Sequence, residues 1–285
     1  MRLLKKIMPL NLFYITNRPA VALLAERYGV NRIWVDLEKL GKDKRQPGNS
    51  IKSNHSVSDI ALIKPLLSHS QMLVRVNPWN ENSVEEINAV IDAGADIVML
   101  PYWKTLEEVK NFLSAVDGRA KTTLLLETKE AVEIVDEVLE QEIDEIHIGL
   151  NDLHLSYGQT FMFELLSDGT VEKLCEKFKA KEIPYGFGGI ARLGKGLLRA
   201  ERVIMEHYRL GSTRAILSRA FCDLDKCENI AEVERLFSEN MPILRAYEET
   251  CVSASEETLL ANKREIDIDV KNIVERIKER ERLSI

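Results

Sequence analysis

The chain has no run of about 18 apolar residues, so no membrane-spanning helix is expected. Cysteine is scarce: four in 285 residues, at 175, 222, 227 and 251, without the short spacings of a zinc site. This excludes a disulfide scaffold and is simplest in a reduced, cytoplasmic protein. Excess positive charge is also missing. The net charge is −7, which argues against non-specific nucleic-acid binding. The opening MRLLKKIMPLNLFYITN has a basic start but no small-residue cleavage site at Thr16-Asn17-Arg18-Pro19, so it reads as a first strand and not as a leader. Residues 253–285 contain neither glycine nor proline.

What is present is a rhythm. Eight apolar, β-rich runs recur: LNLFYIT (10–16), RIWVDLE (32–38), MLVRVN (72–77), DIVMLP (96–101), TTLLLET (122–128), EIHIGL (145–150), PYGFGG (184–189) and RAILSRAF (214–221). Helical periodicity fills most of the gaps, in RPAVALLAERYG, SVEEINAVIDAGA, TLEEVKNFLSAVDG, KEAVEIVDEVLEQ and GLLRAERVIMEHYRLG. Ser83 with Glu86, and Thr105 with Glu108, have capping-box spacing. Eight strand–helix units predict an α/β fold, the (β/α)8 TIM barrel, over residues 1–250. A doubly wound sheet would want a glycine-rich phosphate turn after an early strand, and the first two runs end in TNRP and DLEK. Residues 251–285 form a charged helical extension. Leu259, Ile266, Ile268, Val270, Ile273, Val274 and Ile277 could make one apolar stripe on it, against the barrel or another subunit.

Barrel enzymes place their chemistry at the C-terminal strand ends. There the sequence puts Asp36, Glu38 and Lys39 after the second run, Arg75 in the third, Glu127 after the fifth, and Gly149, Asn151 and Asp152 after the sixth. Two acids at neighbouring strand ends repel unless a cation joins them, and hard oxygen ligands favour Mg2+ or Mn2+. An arginine inside an apolar strand needs an anion, either Asp36 and Glu38 or a substrate carboxylate. No lysine stands mid-strand, so a metal route is favoured over an imine. His147 reads as structural; His154 and His55 are further candidates for a base. Residues 39–56 form a long basic loop that could attract an anion. Arg214 and Arg219 could supply part of a phosphate site for phosphoryl transfer.

WVDLE (34–38), LVRVNP (73–78), AGADIVMLPYWKTLEEV (93–109), LLLET (124–128), IGLNDLHLSYG (148–158) and LGSTRAI (210–216) together resemble the HpcH/HpaI aldolase and citrate lyase beta-subunit family of the phosphoenolpyruvate/pyruvate superfamily. The resemblance implies a (β/α)8 barrel and carbon–carbon lyase chemistry through an enolate, on a 2-keto acid or acyl-CoA. It implies Glu127 and Asp152 as metal ligands and Arg75 as the carboxylate-binding arginine. Asp36 and Glu38 match its strand-two acidic motif, and Gly149 and Asn151 flank the metal position as substrate contacts. It further implies a homo-oligomer, trimer or hexamer. The aldolase branch has a histidine after the strand-two glutamate, where this chain has Lys39. DLEKLGKDKRQ is closer to the citrate-lyase branch, with Lys44 and Arg45 as candidate anion contacts. The missing histidine keeps a second expectation open, a relative that binds a carboxylate without cleaving it.

Overall fold

The computed structural model describes residues 8–41 and 54–283; Lys44 and Arg45 lie outside them. Each apolar run contains one strand: β1 (Asn11–Ile15), β2 (Arg32–Asp36), β3 (Gln71–Arg75), β4 (Ile97–Leu100), β5 (Lys121–Leu126), β6 (Glu145–Ile148), β7 (Tyr185–Ile190) and β8 (Arg214–Leu217). Each strand pairs in parallel with the next, and β8 pairs with β1, so the sheet closes into an eight-stranded barrel. The expected (β/α)8 architecture is therefore the observed one.

Strand alternation divides the core in two. On β2, Ile33 and Val35 join the large apolar layer between sheet and helices, whereas Trp34 points to the barrel axis. Phe13, Trp34, Leu73, Ile97, Met99 and Leu125 fill that axis. Arg32 and Asp36 are two residues either side of Trp34, so they lie on the same inner face, one toward each end of the barrel. Both are buried, at 2% and 1% exposure.

The helices among the described residues are α1 (Pro19–Arg27), α2 (Val57–Ile63), α3 (Ser83–Asp92), α4 (Leu106–Val116), α5 (Lys129–Glu133), α6 (Val135–Val138), α7 (Leu150–Ser156), α8 (Glu164–Ser167), α9 (Thr170–Ala180), α10 (Ala200–Leu210), α11 (Ile230–Ser253) and α12 (Glu256–Leu283). The Thr105–Glu108 capping box forms at the start of α4. The one expected at Ser83 does not. Ser83 is already helical behind Asn82; its hydroxyl accepts from the Asn80 N–H, and Glu86 turns to Asn77. The segment 129–141 breaks at Ile134 into α5 and α6.

Residue 250 falls in the last turn of α11, and α12 follows after a two-residue break at 254–255. The extension packs on the barrel, against α10 and α8. Its buried residues are Asn262, Ile266, Val270 and Ile273. Ile268, expected in the stripe, is 55% exposed. Asn262 is buried because its side-chain amide donates to the Arg202 carbonyl. No helix among the described residues is long and apolar enough to cross a membrane.

Candidate active site

The C-terminal ends of β2 and β3 are joined by an ion pair. Arg75 donates from Nε and Nη2 to the two Asp36 oxygens, both at 2.8 Å, and Nη1 lies 3.2 Å from Glu38 Oε2. Register explains the meeting, since Asp36 and Arg75 are paired neighbours on adjacent parallel strands. Burial alone would favour loss of the Arg75 proton. Asp36 and Glu38, with a further contribution from Glu127, outweigh it and hold the guanidinium above its ordinary pKa. The guanidinium lies over the Trp34 ring, 5.0 Å from its centroid. The Asp36 N–H donates to His55 Nδ1, and the Glu38 N–H to Asp36 Oδ1.

Glu127 follows β5 and is 2% exposed. Its Oε1 accepts the Tyr102 N–H at 3.0 Å. Tyr102 is held at φ 51°, in the left-handed region that non-glycine residues rarely adopt. On the other side the carboxylate lies against Gly149, where an added Cβ would meet Glu127 Oε2 at 2.7 Å. Glycine is thus required for the close approach. Gly149 caps α7, and Asp152 lies in the first turn of that helix. The fifth and sixth strand ends therefore bring Glu127 to the turn that carries Asp152. Hard oxygen donors of this kind suit a divalent cation. Among the described residues, no group of three or more His, Cys, Asp or Glu side chains could hold a metal ion alone.

Asn151 and Lys39 are exposed at the rim. The Lys39 and Leu40 amides both donate to Asn77 Oδ1, at 2.8 and 3.0 Å, while Glu86 accepts from Asn77. Asn77 thereby fixes the exit of β2 over the end of β3. Neither it nor Tyr102 was singled out from the sequence. Asn77 stands in LVRVNP and was open to notice; nothing in the sequence signals the left-handed turn at Tyr102.

The histidines are placed differently from one another. His147 is inside the barrel; burial lowers its pKa to about 3, and Nε2 meets the Gly188 carbonyl. His154 Nδ1 meets the Leu150 carbonyl of its own helix, which turns that nitrogen away from the candidate site. Arg214 begins β8, at the far end of the barrel, and pairs with Glu145. It cannot join Arg219, which follows the strand, so the phosphate set expected of that pair does not form.

The family model for HpcH/HpaI aldolase/citrate lyase matches residues 10–164, more than half of the chain. The chain belongs to the HpcH/HpaI aldolase/citrate lyase family. That family is one of lyases, and the match spans Asp36, Glu38, Arg75, Glu127 and Asp152. A solved HpcH/HpaI aldolase from Desulfitobacterium hafniense DCB-2 superposes with a TM-score of 0.59 at 14% identity, covering 74% of this chain and 86% of that one. At that identity the likeness speaks for the fold. None of the curated proteins matches.

Proposed function

We propose that this HpcH/HpaI family member is a divalent-metal-dependent carbon–carbon lyase, cleaving or forming a 2-keto acid or acyl-CoA through an enolate. The observation that carries the reading is the Glu127 carboxylate, aimed by the Tyr102 amide and seated on Gly149 beside the turn bearing Asp152. Glu127 and Asp152 hold Mg2+ or Mn2+. When bound, the cation supplies positive charge beside the carbonyl oxygen that becomes the enolate.

The chain's own groups do the positioning. A guanidinium has five N–H donors. Asp36 takes two, from Nε and Nη2, and Glu38 lies 3.2 Å from Nη1 as an ion pair, leaving donors on both terminal nitrogens of Arg75 for the substrate carboxylate. The ion pairs lock the fork before substrate arrives, so little reorganisation remains during the reaction. Gly149 and Asn151 line the metal side, and Lys39 stands at the rim where the aldolase branch has histidine. Lys44 and Arg45 complete the anion contacts of this reading. The barrel, residues 1–250, is the catalytic unit and 251–285 its extension. The protein works in the cytoplasm as a trimer or hexamer.

The test is release of pyruvate, oxaloacetate or acetyl-CoA from a panel of 4-hydroxy-2-keto acids and hydroxyacyl-CoAs, with and without Mg2+ or Mn2+. Glu127→Ala and Asp152→Ala should each abolish metal binding with the circular dichroism unchanged. Metal affinity that survives both substitutions removes the site. Normal metal binding without turnover on any substrate leaves the non-cleaving, carboxylate-binding relative.

A further inference from the structure

We propose that the substrate of this site carries a phosphate group remote from its reacting end, held by Arg192, Lys195 and Arg219 on the loops that follow β7 and β8. The proposal rests on the lyase reading above and extends it to the substrate's far end. These residues lie beyond residue 164, outside the family match, so nothing in the family assignment places them in a site.

The loops bring the cations together. The Arg192 N–H and Nε both donate to the Ala220 carbonyl, each at 3.4 Å, which lays the Arg192 side chain beside the Ala220–Phe221 peptide, one residue past Arg219. The Lys195 N–H donates to the Arg192 carbonyl at 3.0 Å and closes a turn. Gly194 and Gly196 in that turn have φ of 76° and 96°, so the loop doubles back where side chains would resist it. Arg18 follows β1, the strand next to β8.

Two acids beside these cations are already engaged. Glu201 takes Arg199 and the Gly194 N–H, and Asp223 takes Lys226. Among the described residues, no carboxylate stands within ion-pair distance of Arg192, Lys195 or Arg219. Cations left over at a mouth attract an anion, and one with several acceptor oxygens suits clustered guanidinium donors. In (β/α)8 barrels the loops after the seventh and eighth strands are a recurrent phosphate position.

The mouth is therefore polarised. Asp36, Glu38, Glu127 and Asp152 crowd the ends of β2, β5 and β6, and Arg192, Lys195, Arg219 and Arg18 follow the ends of β7, β8 and β1. Opposite strands of an eight-stranded barrel lie on the order of 15 Å apart. That span, less the reach of one long side chain on each side, suits a short-chain phosphorylated acid. Such a substrate would put its keto-acid end on Arg75 and its phosphate on Arg192 and Arg219.

The experiment compares glyceraldehyde 3-phosphate with glyceraldehyde as acceptors for pyruvate in the Mg2+-supplemented protein. The phosphorylated acceptor should win in kcat/KM by about 10- to 100-fold, the effect of one or two charge-assisted hydrogen bonds. The double variant Arg192→Gln/Arg219→Gln should bring the ratio toward one. A ratio that the variant leaves unchanged overturns the proposal. Inorganic phosphate titrated calorimetrically gives an answer independent of turnover: saturable binding lost in the variant supports the subsite, and its absence from the unsubstituted protein overturns it. If neither acceptor reacts while phosphate still binds, the lyase reading fails and the subsite stands. Displacement of phosphate by coenzyme A, but not by dephospho-coenzyme A, supports the subsite and assigns its phosphate to an acyl carrier.

Discussion

The two ends of the barrel interior each hold an arginine–carboxylate cluster, and among the described residues they have opposite ratios of arginine to acid. At the N-terminal end Arg32 grips Glu145 through both terminal nitrogens, at 2.5 and 2.6 Å, and Arg214 approaches the same carboxylate. Two cations share one acid. At the C-terminal end one arginine serves Asp36 and Glu38 and lies in the field of Glu127. Between them sits the apolar layer of Phe13, Trp34, Leu73, Ile97, Met99 and Leu125. Arg32 rests on Phe13 from below and Arg75 on Trp34 from above. The lower cluster is closed by its own residues and serves the fold. The upper one gathers three carboxylates around one guanidinium at the mouth. The ratio of arginine to acid, more than burial, separates the two clusters.

The largest effect should come from breaking the lower cluster. Glu145→Leu leaves two buried guanidinium groups without their acid and should cost about 3–5 kcal/mol in denaturant unfolding. A loss below about 1 kcal/mol would mean that water already solvates that end. Next, Arg75→Lys keeps the charge but loses the two-pronged grip on Asp36. Turnover should fall about 10²- to 10³-fold with metal affinity retained. A fall in metal affinity equal to the fall in rate would merge the two roles.

The mildest probe is acid. Burial raises the pKa of Glu145, but the Arg32 hydrogen bonds and the charges of Arg214 and Arg32 prevail and lower it from 4.5. A depressed carboxyl contributes stability that is full above its unfolded pKa and is lost as pH falls through the folded one. Melting temperature should therefore drop as the pH is lowered below 4.5, and Glu145→Gln should flatten that part of the profile. An unchanged slope in the variant would transfer the acid sensitivity to other carboxylates.

The barrel was legible because each strand is a short apolar run separated from the next by a helical or loop segment. Period and spacing survive without any knowledge of contacts. Arg75 was legible for a related reason: a charged residue inside such a run demands a partner, and the neighbouring strand end supplied Asp36. Helices α9 and α11 were passed over. TVEKLCEKFKA is rich in lysine and glutamate, and α11 contains Pro242, which argues locally against a helix. Asn262 and Tyr102 were hidden because their roles depend on a carbonyl or a backbone angle, which no residue type encodes. Arg214 was grouped with Arg219 in a phosphate set, although the two stand at opposite ends of β8. Its place at the start of the strand was visible, but that Glu145 begins β6 at the same end became useful only once the sheet was closed.

Trp34 gives the upper cluster an optical consequence. Its indole lies beneath the Arg75 guanidinium and is only 2% exposed, shielded from bulk water. A carboxylate settling on that guanidinium changes the local electric field at the ring. The protein thus carries a built-in fluorophore under the proposed substrate anchor, and emission gives a readout of ligand arrival there without attaching a dye.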